Sequence, residues 1–210
     1  MIKVQRSPKP TVLEKNTAEW TRKLLAATST KDKNRAENKY RHKQIKDALV
    51  ILFHGKCAYC ESKITHIDYG HIEHFKPKSH NAYRSLTFEW TNLLLACGVC
   101  NGAEHKGTKF PSTAEGGPFI NPCDDEPNDH FDFVYDTVAK LATVVGKTTR
   151  GTSTETLIGL NRYNLREQRS KQVQRLLFIK MHAQTDPEAA EIFRQAKLDS
   201  AEYAAFARSL

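Results

Sequence analysis

The sequence lacks an apolar run of the roughly 20 residues that a membrane-spanning helix requires. Its first ten residues, MIKVQRSPKP, are polar and contain two prolines, so they do not resemble the apolar centre of a secretion signal. It also lacks internal repeats and low-complexity tracts, which argues against repeat and disordered architectures. We therefore expect a cytoplasmic protein, in a compartment where disulfides rarely persist.

Acidic residues are scarce in the first part of the chain. Residues 1–56 contain 14 Lys and Arg against 5 Asp and Glu, a net charge of +9, whereas the remainder of the +8 chain is close to neutral. This asymmetry favours a polyanionic partner or an acidic protein surface, and a solvated basic helix is the ordinary alternative. With 210 residues and 39% hydrophobic content, the chain is long and apolar enough for a modest folded core.

Four of the five cysteines form two Cys-x-x-Cys pairs, Cys57/Cys60 and Cys97/Cys100. Two thiolates at this spacing can reach one ion at about 2.3 Å, and two pairs complete a tetrahedral structural zinc site. Disulfides are the alternative, and the expected compartment argues against them. The fifth cysteine, Cys123, is predicted to be a plain thiol in a loop.

Periodicity and turn residues predict an α+β chain. A basic helix is expected over 32–53, ended by Gly55. A helix beginning near Cys100 would carry Asn101 and His105 at positions i and i+4. The other predicted elements are a helix over 11–27, a strand at 70–75, a loop over 111–127, a hairpin of FDFVYD and LATVV, and helices over 154–162, 164–183 and 187–209.

Between the cysteine pairs lie residue types that suit a divalent-metal site. Glu73 and His74 are adjacent, and Asn92, Asn101 and His105 follow. A carboxylate, an amide and an imidazole form a mixed ligand set that leaves room for water and a phosphate oxygen. A neutral imidazole nearby can accept a proton from an attacking water. The combination favours phosphodiester hydrolysis.

At these residues the chain resembles the HNH, or ββα-metal, endonuclease family. The similar stretches are HIEHFKP, EWTNLLLAC and CGVCNGAEHKG, within residues 57–107. The resemblance implies a zinc-stapled ββα core and a catalytic Mg²⁺ or Mn²⁺. It also implies that His74 is the general base, that Asn92 holds the loop and orients this histidine, and that Glu73, Asn101 and His105 are metal ligands.

Two features depart from the family pattern. The carboxylate is Glu73 where Asp is commoner, and an ideal strand would direct Glu73 and His74 to opposite faces. A bulge or a strand end is therefore required at this point. His71 shares the Glu73 face and is a rival ligand or phosphate contact, and Lys76 and Lys106 are further candidate phosphate contacts.

A narrower resemblance, extending over most of residues 1–165, is to the HNH subunits of Septu anti-phage systems, which also occur beside retrons. It implies a PtuA-like ATPase of the ABC type as partner. We divide the chain into a basic helical region (1–56) for partner or nucleic-acid contact, the nuclease core (57–110) and a C-terminal region (111–210). DNA is the favoured substrate. RNA such as tRNA, or a zinc-stapled binding module without catalysis, are the alternatives.

Overall fold

A computed structural model describes all 210 residues and confirms the α+β class. The chain forms two compact units, one of residues 5–57 and 64–110, the other of residues 1–4, 58–63 and 111–210. None of its helices combines the length and apolarity that a membrane crossing requires. The division at residues 56 and 110 proposed from the sequence assigns functions to three segments of the chain, and these assignments stay predictions.

The first of these units begins with three helices, α1 to α3. The helix predicted over 11–27 is confirmed, but the single helix over 32–53 is wrong. The chain breaks at His42, whose ψ of 136° is not helical and whose Nδ1 accepts a hydrogen bond from the Gln44 amide (3.2 Å) to cap the next helix. The helices are α1 (Thr11–Ala26), α2 (Thr30–Glu37) and α3 (Lys43–Leu52), with a 3₁₀ turn at Asn38–Arg41.

The same unit contains two short antiparallel strands and a short helix, β1 (His71–His74), β2 (Leu93–Ala96) and α4 (Gly98–Asn101). The register pairs His71 with Ala96 and His74 with Leu93. All of β2 is buried, which explains why it reads as a continuous apolar run rather than an alternating one. This ββα order is the one that the family resemblance implies.

The predicted helix carrying both Asn101 and His105 is wrong. Helix α4 ends at Asn101, because Gly102 takes an extended ψ of 161°. The chain then turns, with the His105 amide bonded to the Gly102 carbonyl (3.1 Å) and the Lys106 amide to the Cys100 carbonyl (3.2 Å). Asn101 and His105 therefore do not share a helix face.

The other unit is built on a hairpin, and the hairpin prediction is confirmed. β3 and β4 pair antiparallel, with Phe131 opposite Gly146 at one end and Asp136 opposite Leu141 at the other. The helix predicted over 154–162 begins earlier, at Thr149, because the Thr148 hydroxyl caps it. The predicted helix over 187–209 is two helices: the first ends at Ala196, and Tyr203, in the left-handed region (φ 53°), precedes the second. The elements are α5 (Pro127–His130), β3 (Phe131–Asp136), β4 (Leu141–Gly146), α6 (Thr149–Ile158), α7 (Tyr163–His182), α8 (Pro187–Ala196) and α9 (Ala204–Ser209).

Candidate active site

The end of β1 opens into a pocket of about 440 Å³ that is lined by Glu73, His74 and Asn101. Glu73 and His74 are 4% and 6% exposed, so both side chains are buried beside the pocket. The strand ends at His74, and the chain bends at the next residue. A strand end, rather than a bulge, thus allows two adjacent residues to face the same pocket.

The His74 ring is held in one orientation and one tautomer. Its Nε2 lies 3.0 Å from the Thr87 carbonyl oxygen, which can only accept, so Nε2 carries the proton and Nδ1 keeps its lone pair. The Tyr40 ring packs edge-on at 4.7 Å between centroids. Burial lowers the pKa of the His74 imidazole to about 4, with smaller lowering effects from Lys78 and Lys106 and an opposing effect from the Thr87 carbonyl. The imidazole is therefore neutral at pH 7.

Glu73 forms a buried ion pair with Lys106, whose side chain is fully buried. The Lys106 ammonium also donates to the His74 carbonyl oxygen (3.0 Å). One lysine thus ties together the carboxylate and the backbone at the end of β1. The ammonium does not face the surface, as the predicted phosphate contact would require.

Asn92 binds the chain that follows His74, although it does not line the pocket. Its Oδ1 accepts from the Lys76 amide (2.8 Å), and its Nδ2 donates to the carbonyls of Lys76 (3.1 Å) and Leu86 (3.2 Å). Its own carbonyl accepts from the Phe75 amide (2.9 Å). These bonds extend the β1–β2 pairing by one residue and hold the turn beyond the histidine.

Three of the residues that the sequence singled out lie away from the pocket wall. His105 is half-buried in the turns after α4 and is not a lining residue. The His71 side chain is 51% exposed, with its Nε2 4.0 Å from the Asp68 carboxylate. The Lys76 ammonium lies 5.9 Å from the centre of the Tyr83 ring. Their roles as ligands or phosphate contacts stay predictions.

Two residues of the pocket wall, Tyr40 and Lys78, are not among the site residues proposed above. Tyr40 comes from the 3₁₀ turn after α2, and Lys78 follows the strand end. Lys78 forms an ion pair with Glu37 of α2, and its ammonium lies 5.6 Å from the centre of the Tyr40 ring. No spacing in the sequence connects Tyr40 with His74, because 33 residues and a helix separate them and only tertiary packing brings the rings together.

The four paired cysteines form a cluster in which all Sγ atoms lie within 4.8 Å of one another. Thiolates that surround zinc at 2.3 Å are about 3.8 Å apart, so the cluster suits this ion. Cys97 also caps α4, since its Sγ accepts from the Cys100 amide (3.4 Å). Cys123 lies outside the cluster, in a loop.

The pocket has the donors that a hard divalent cation prefers. The Glu73 carboxylate and the Asn101 amide are oxygen ligands of the kind that Mg²⁺ and Mn²⁺ bind in proteins. The pocket volume leaves room for the waters that Mg²⁺ retains. Glu73 and Asn101 therefore suit a divalent cation, as the resemblance to the ββα-metal family implies.

Comparison with known proteins gives the same family. Residues 57–107 match the family model described as HNH endonuclease. The Septu protein PtuB of Bacillus mycoides (strain KBAB4) is 35% identical over 162 residues, which are 63% of this chain and 55% of that protein. The PtuB protein of Bacillus thuringiensis is 40% identical over 106 residues, 50% of this chain and 38% of that protein.

A third relative, from Vibrio cholerae serotype O1 biovar El Tor, is named "Retron Vc95 putative HNH endonuclease". It is 30% identical over 140 residues, which cover 65% of this chain and 67% of that protein. By contrast, the matched regions span only about half or less of the two PtuB proteins. The matched segment, the ββα order and the coverage of the Vibrio relative lead to one conclusion: the chain belongs to the HNH endonuclease family.

Proposed function

We propose that this chain is a metal-dependent endonuclease that hydrolyses phosphodiester bonds, with DNA as the favoured substrate. The observation that carries the proposal is the pocket itself. A neutral imidazole of defined tautomer, a buried carboxylate and an amide side chain line one cavity, at His74, Glu73 and Asn101. This is the set of groups that a hydrolytic reaction at phosphorus requires.

His74 is the general base in this proposal. The Thr87 carbonyl holds the Nε2–H, so Nδ1 is the atom that takes the proton from the attacking water. Because burial keeps the ring neutral, Nδ1 is available at every pH near neutrality. The Asn92 hydrogen bonds to Lys76 support the ring indirectly by holding the turn beyond it.

Glu73 and Asn101 would hold Mg²⁺ or Mn²⁺, and His105 stays a predicted third ligand. When bound, such a cation supplies charge stabilisation to the phosphoryl oxygens and the leaving oxygen. Lys106 positions the Glu73 carboxylate at the pocket wall through their ion pair. The four-cysteine cluster would hold zinc in a structural role, away from the reacting phosphate.

We further propose that the nuclease acts in anti-phage defence together with a PtuA-like ATPase of the ABC type. Similarity to two proteins named PtuB and to a retron protein supports this setting. The basic region of residues 1–56 would serve partner or nucleic-acid contact. RNA stays an alternative substrate, because a site that binds a phosphate and a metal ion can act on either polymer.

The test compares wild type with His74→Ala, each co-expressed with the ATPase, on plasmid DNA and total tRNA. His66→Ala is the matched control, since this exposed histidine lies outside the pocket and was assigned no role in the site. We expect cleavage that needs Mg²⁺ or Mn²⁺, a loss of about 10²–10⁴-fold in His74→Ala, and no change in His66→Ala.

Zinc content and circular dichroism must show that His74→Ala is folded and zinc-loaded. Equal cleavage by wild type and this variant would remove His74 as the base. Absence of cleavage by wild type under every condition would favour the binding-module alternative. The polymer that is cut decides between DNA and RNA.

A further inference from the structure

A second concave surface lies between α1 and α2, in the same unit as the catalytic pocket. We call it the α1–α2 cleft; its volume is about 460 Å³. Its floor includes small side chains such as Ala26 and Ala36, which leave the space open. Four long cationic side chains line it: Arg22, Lys23, Arg35 and Lys39.

Positive charge exceeds negative charge at the cleft, and Glu19 of α1 offsets part of it, since this carboxylate pairs with Lys23 and interacts more weakly with Arg22 and Lys39. Lys23 pairs with Glu19, and the single lining carboxylate, Asp32, already accepts the Ser29 hydroxyl (2.6 Å). By contrast, no carboxylate lies within 4.0 Å of three exposed cations. These are Arg22, Arg35 and Lys39.

Like charges gathered at one cavity repel one another. Arg35 lies on α2 and Lys39 on the 3₁₀ turn that follows it. Arg22 and Lys23 add two more cations from the facing helix. A solvated basic surface would spread these charges, whereas the cleft gathers them around an open cavity. An anion in the cleft would offset the repulsion.

The cleft adjoins the catalytic pocket along the chain. Lys39 lines the cleft and Tyr40, the next residue, lines the pocket. Consecutive Cα atoms are about 3.8 Å apart, so one short turn contributes side chains to both cavities. The Glu37–Lys78 ion pair also ties α2 to the pocket wall.

We infer that the α1–α2 cleft binds the phosphate backbone of the nucleic-acid strand whose scissile bond occupies the catalytic pocket. The identity of the polyanion rests on the proposed nuclease function. Because consecutive residues line the cleft and the pocket, a nucleic-acid strand held at the pocket is the polyanion nearest to the cleft, which favours it over an acidic protein surface. Arg22, Arg35 and Lys39 are the phosphate contacts, and they position the strand without reading its sequence.

The test measures binding of a fluorescein-labelled single-stranded oligonucleotide as a function of salt, with the full chain in a His74→Ala background. The cleft variant is Arg22→Gln/Arg35→Gln/Lys39→Gln. The control Lys15→Gln/Lys31→Gln/Lys33→Gln removes the same charge from the same two helices, outside the cleft lining. Each phosphate contact contributes about 0.7 to the slope of log K against log salt.

We expect the cleft variant to lose about 2 from this slope and to bind about 100-fold more weakly at 0.1 M salt, with little change in the control. If both variants lost the same affinity and salt slope, net charge alone would explain the effect, and the inference would be overturned. Unchanged binding in the cleft variant would also overturn it, as would absence of salt-dependent binding by the parent protein.

A second measurement separates this inference from the proposed function. Bis(p-nitrophenyl) phosphate is a phosphodiester too short to reach from the pocket into the cleft. With His74 restored, the cleft variant should hydrolyse it at the wild-type rate while losing activity on long DNA. If wild type hydrolyses neither substrate, the nuclease proposal fails, and the salt slopes still decide whether the cleft binds nucleic acid. If the cleft variant loses hydrolysis of the short substrate, the cleft residues act on the pocket and the inference is wrong.

Discussion

The ββα segment and the C-terminal hairpin region are built from elements of different length. β1, β2 and α4 each contain four residues, whereas β3 and β4 contain six and α7 contains twenty. Short elements bury little apolar surface, so they need metal ligands, ion pairs or hydrogen-bonded side chains to hold their positions. In the ββα segment two of those polar groups, Glu73 and His74, also line the pocket.

Two buried cations illustrate the difference. Lys106 is 0% exposed and pairs with Glu73, a carboxylate that borders an open pocket. Arg169 is 1% exposed, and its guanidinium donates to the Leu160 carbonyl (2.7 Å) and packs 4.9 Å from the centre of the Phe206 ring. Burial of a charge alone therefore does not mark a functional site. The buried charge of Lys106 differs from that of Arg169 because its partner, Glu73, lines a pocket.

The largest effect should come from removing the cysteine cluster. Cys97→Ser/Cys100→Ser should lose bound zinc and unfold the ββα segment, since structural zinc contributes on the order of 10 kcal/mol in small zinc domains. Metal analysis and circular dichroism measure both outcomes. Cys123→Ser is the control and should retain zinc, because Cys123 lies outside the cluster. Full zinc content in the double variant would refute the assignment.

Lys106→Met should lower the free energy of unfolding by about 3–5 kcal/mol, because it leaves the buried Glu73 carboxylate without its cation. A divalent cation at Glu73 would supply the missing charge. Mg²⁺ should therefore raise the Tm of this variant more than that of wild type. Lys109→Met, at an exposed residue of the same pocket, should change little. An equal response to Mg²⁺ in wild type and Lys106→Met would argue against cation binding at Glu73.

Arg169→Met should lower the free energy of unfolding by about 2–4 kcal/mol, because the carbonyls of Ala142 and Leu160 lose their donor. Its cleavage rate at a temperature where it is folded should equal that of wild type, and its Tm should respond to Mg²⁺ as wild type does. Arg175→Met, exposed on the same helix, should lie within about 0.5 kcal/mol of wild type. If folded Arg169→Met cleaved its substrate more slowly than wild type, Arg169 would not be purely structural, and its difference from Lys106 would disappear.

The smallest effect concerns the Asp125–Arg150 ion pair, where two nitrogens of Arg150 lie 2.8 Å from the two carboxylate oxygens. Burial alone would raise the pKa of Asp125, but the bonds from Arg150 and the Asn121 amide outweigh it and the pKa is lowered. Asp125→Asn should cost about 1–2 kcal/mol at pH 7.

The sign of the pH dependence follows from the lowered pKa. The ionised Asp125 contributes its full stability above the ordinary carboxyl pKa near 3.9, and this contribution disappears as the pH falls through the lowered value. Urea unfolding at pH 7 and in acid should show the two proteins converging at low pH. A difference that persists unchanged in acid would rule out the ionised carboxylate as its source.

Prediction from the sequence worked best where local chemistry decides the structure. The hairpin and the four-cysteine cluster follow from alternating strands and Cys-x-x-Cys spacing. Helix boundaries were less predictable. His42 looked like part of a continuous basic helix, and only its extended backbone separates α2 from α3. Gly102 likewise ends α4 before His105, where i and i+4 spacing had suggested a shared face.

The sequence by itself determined the family and the four-cysteine cluster and predicted the residue types of the site, because these depend on motif spacing within residues 57–107. Only the tertiary structure decided which groups meet. It pairs Lys106 with Glu73, orients His74 through Thr87, and places Tyr40 against the imidazole ring. These contacts join residues between 13 and 34 positions apart, and packing rather than local spacing decides which of many similar lysines, threonines and tyrosines is the partner.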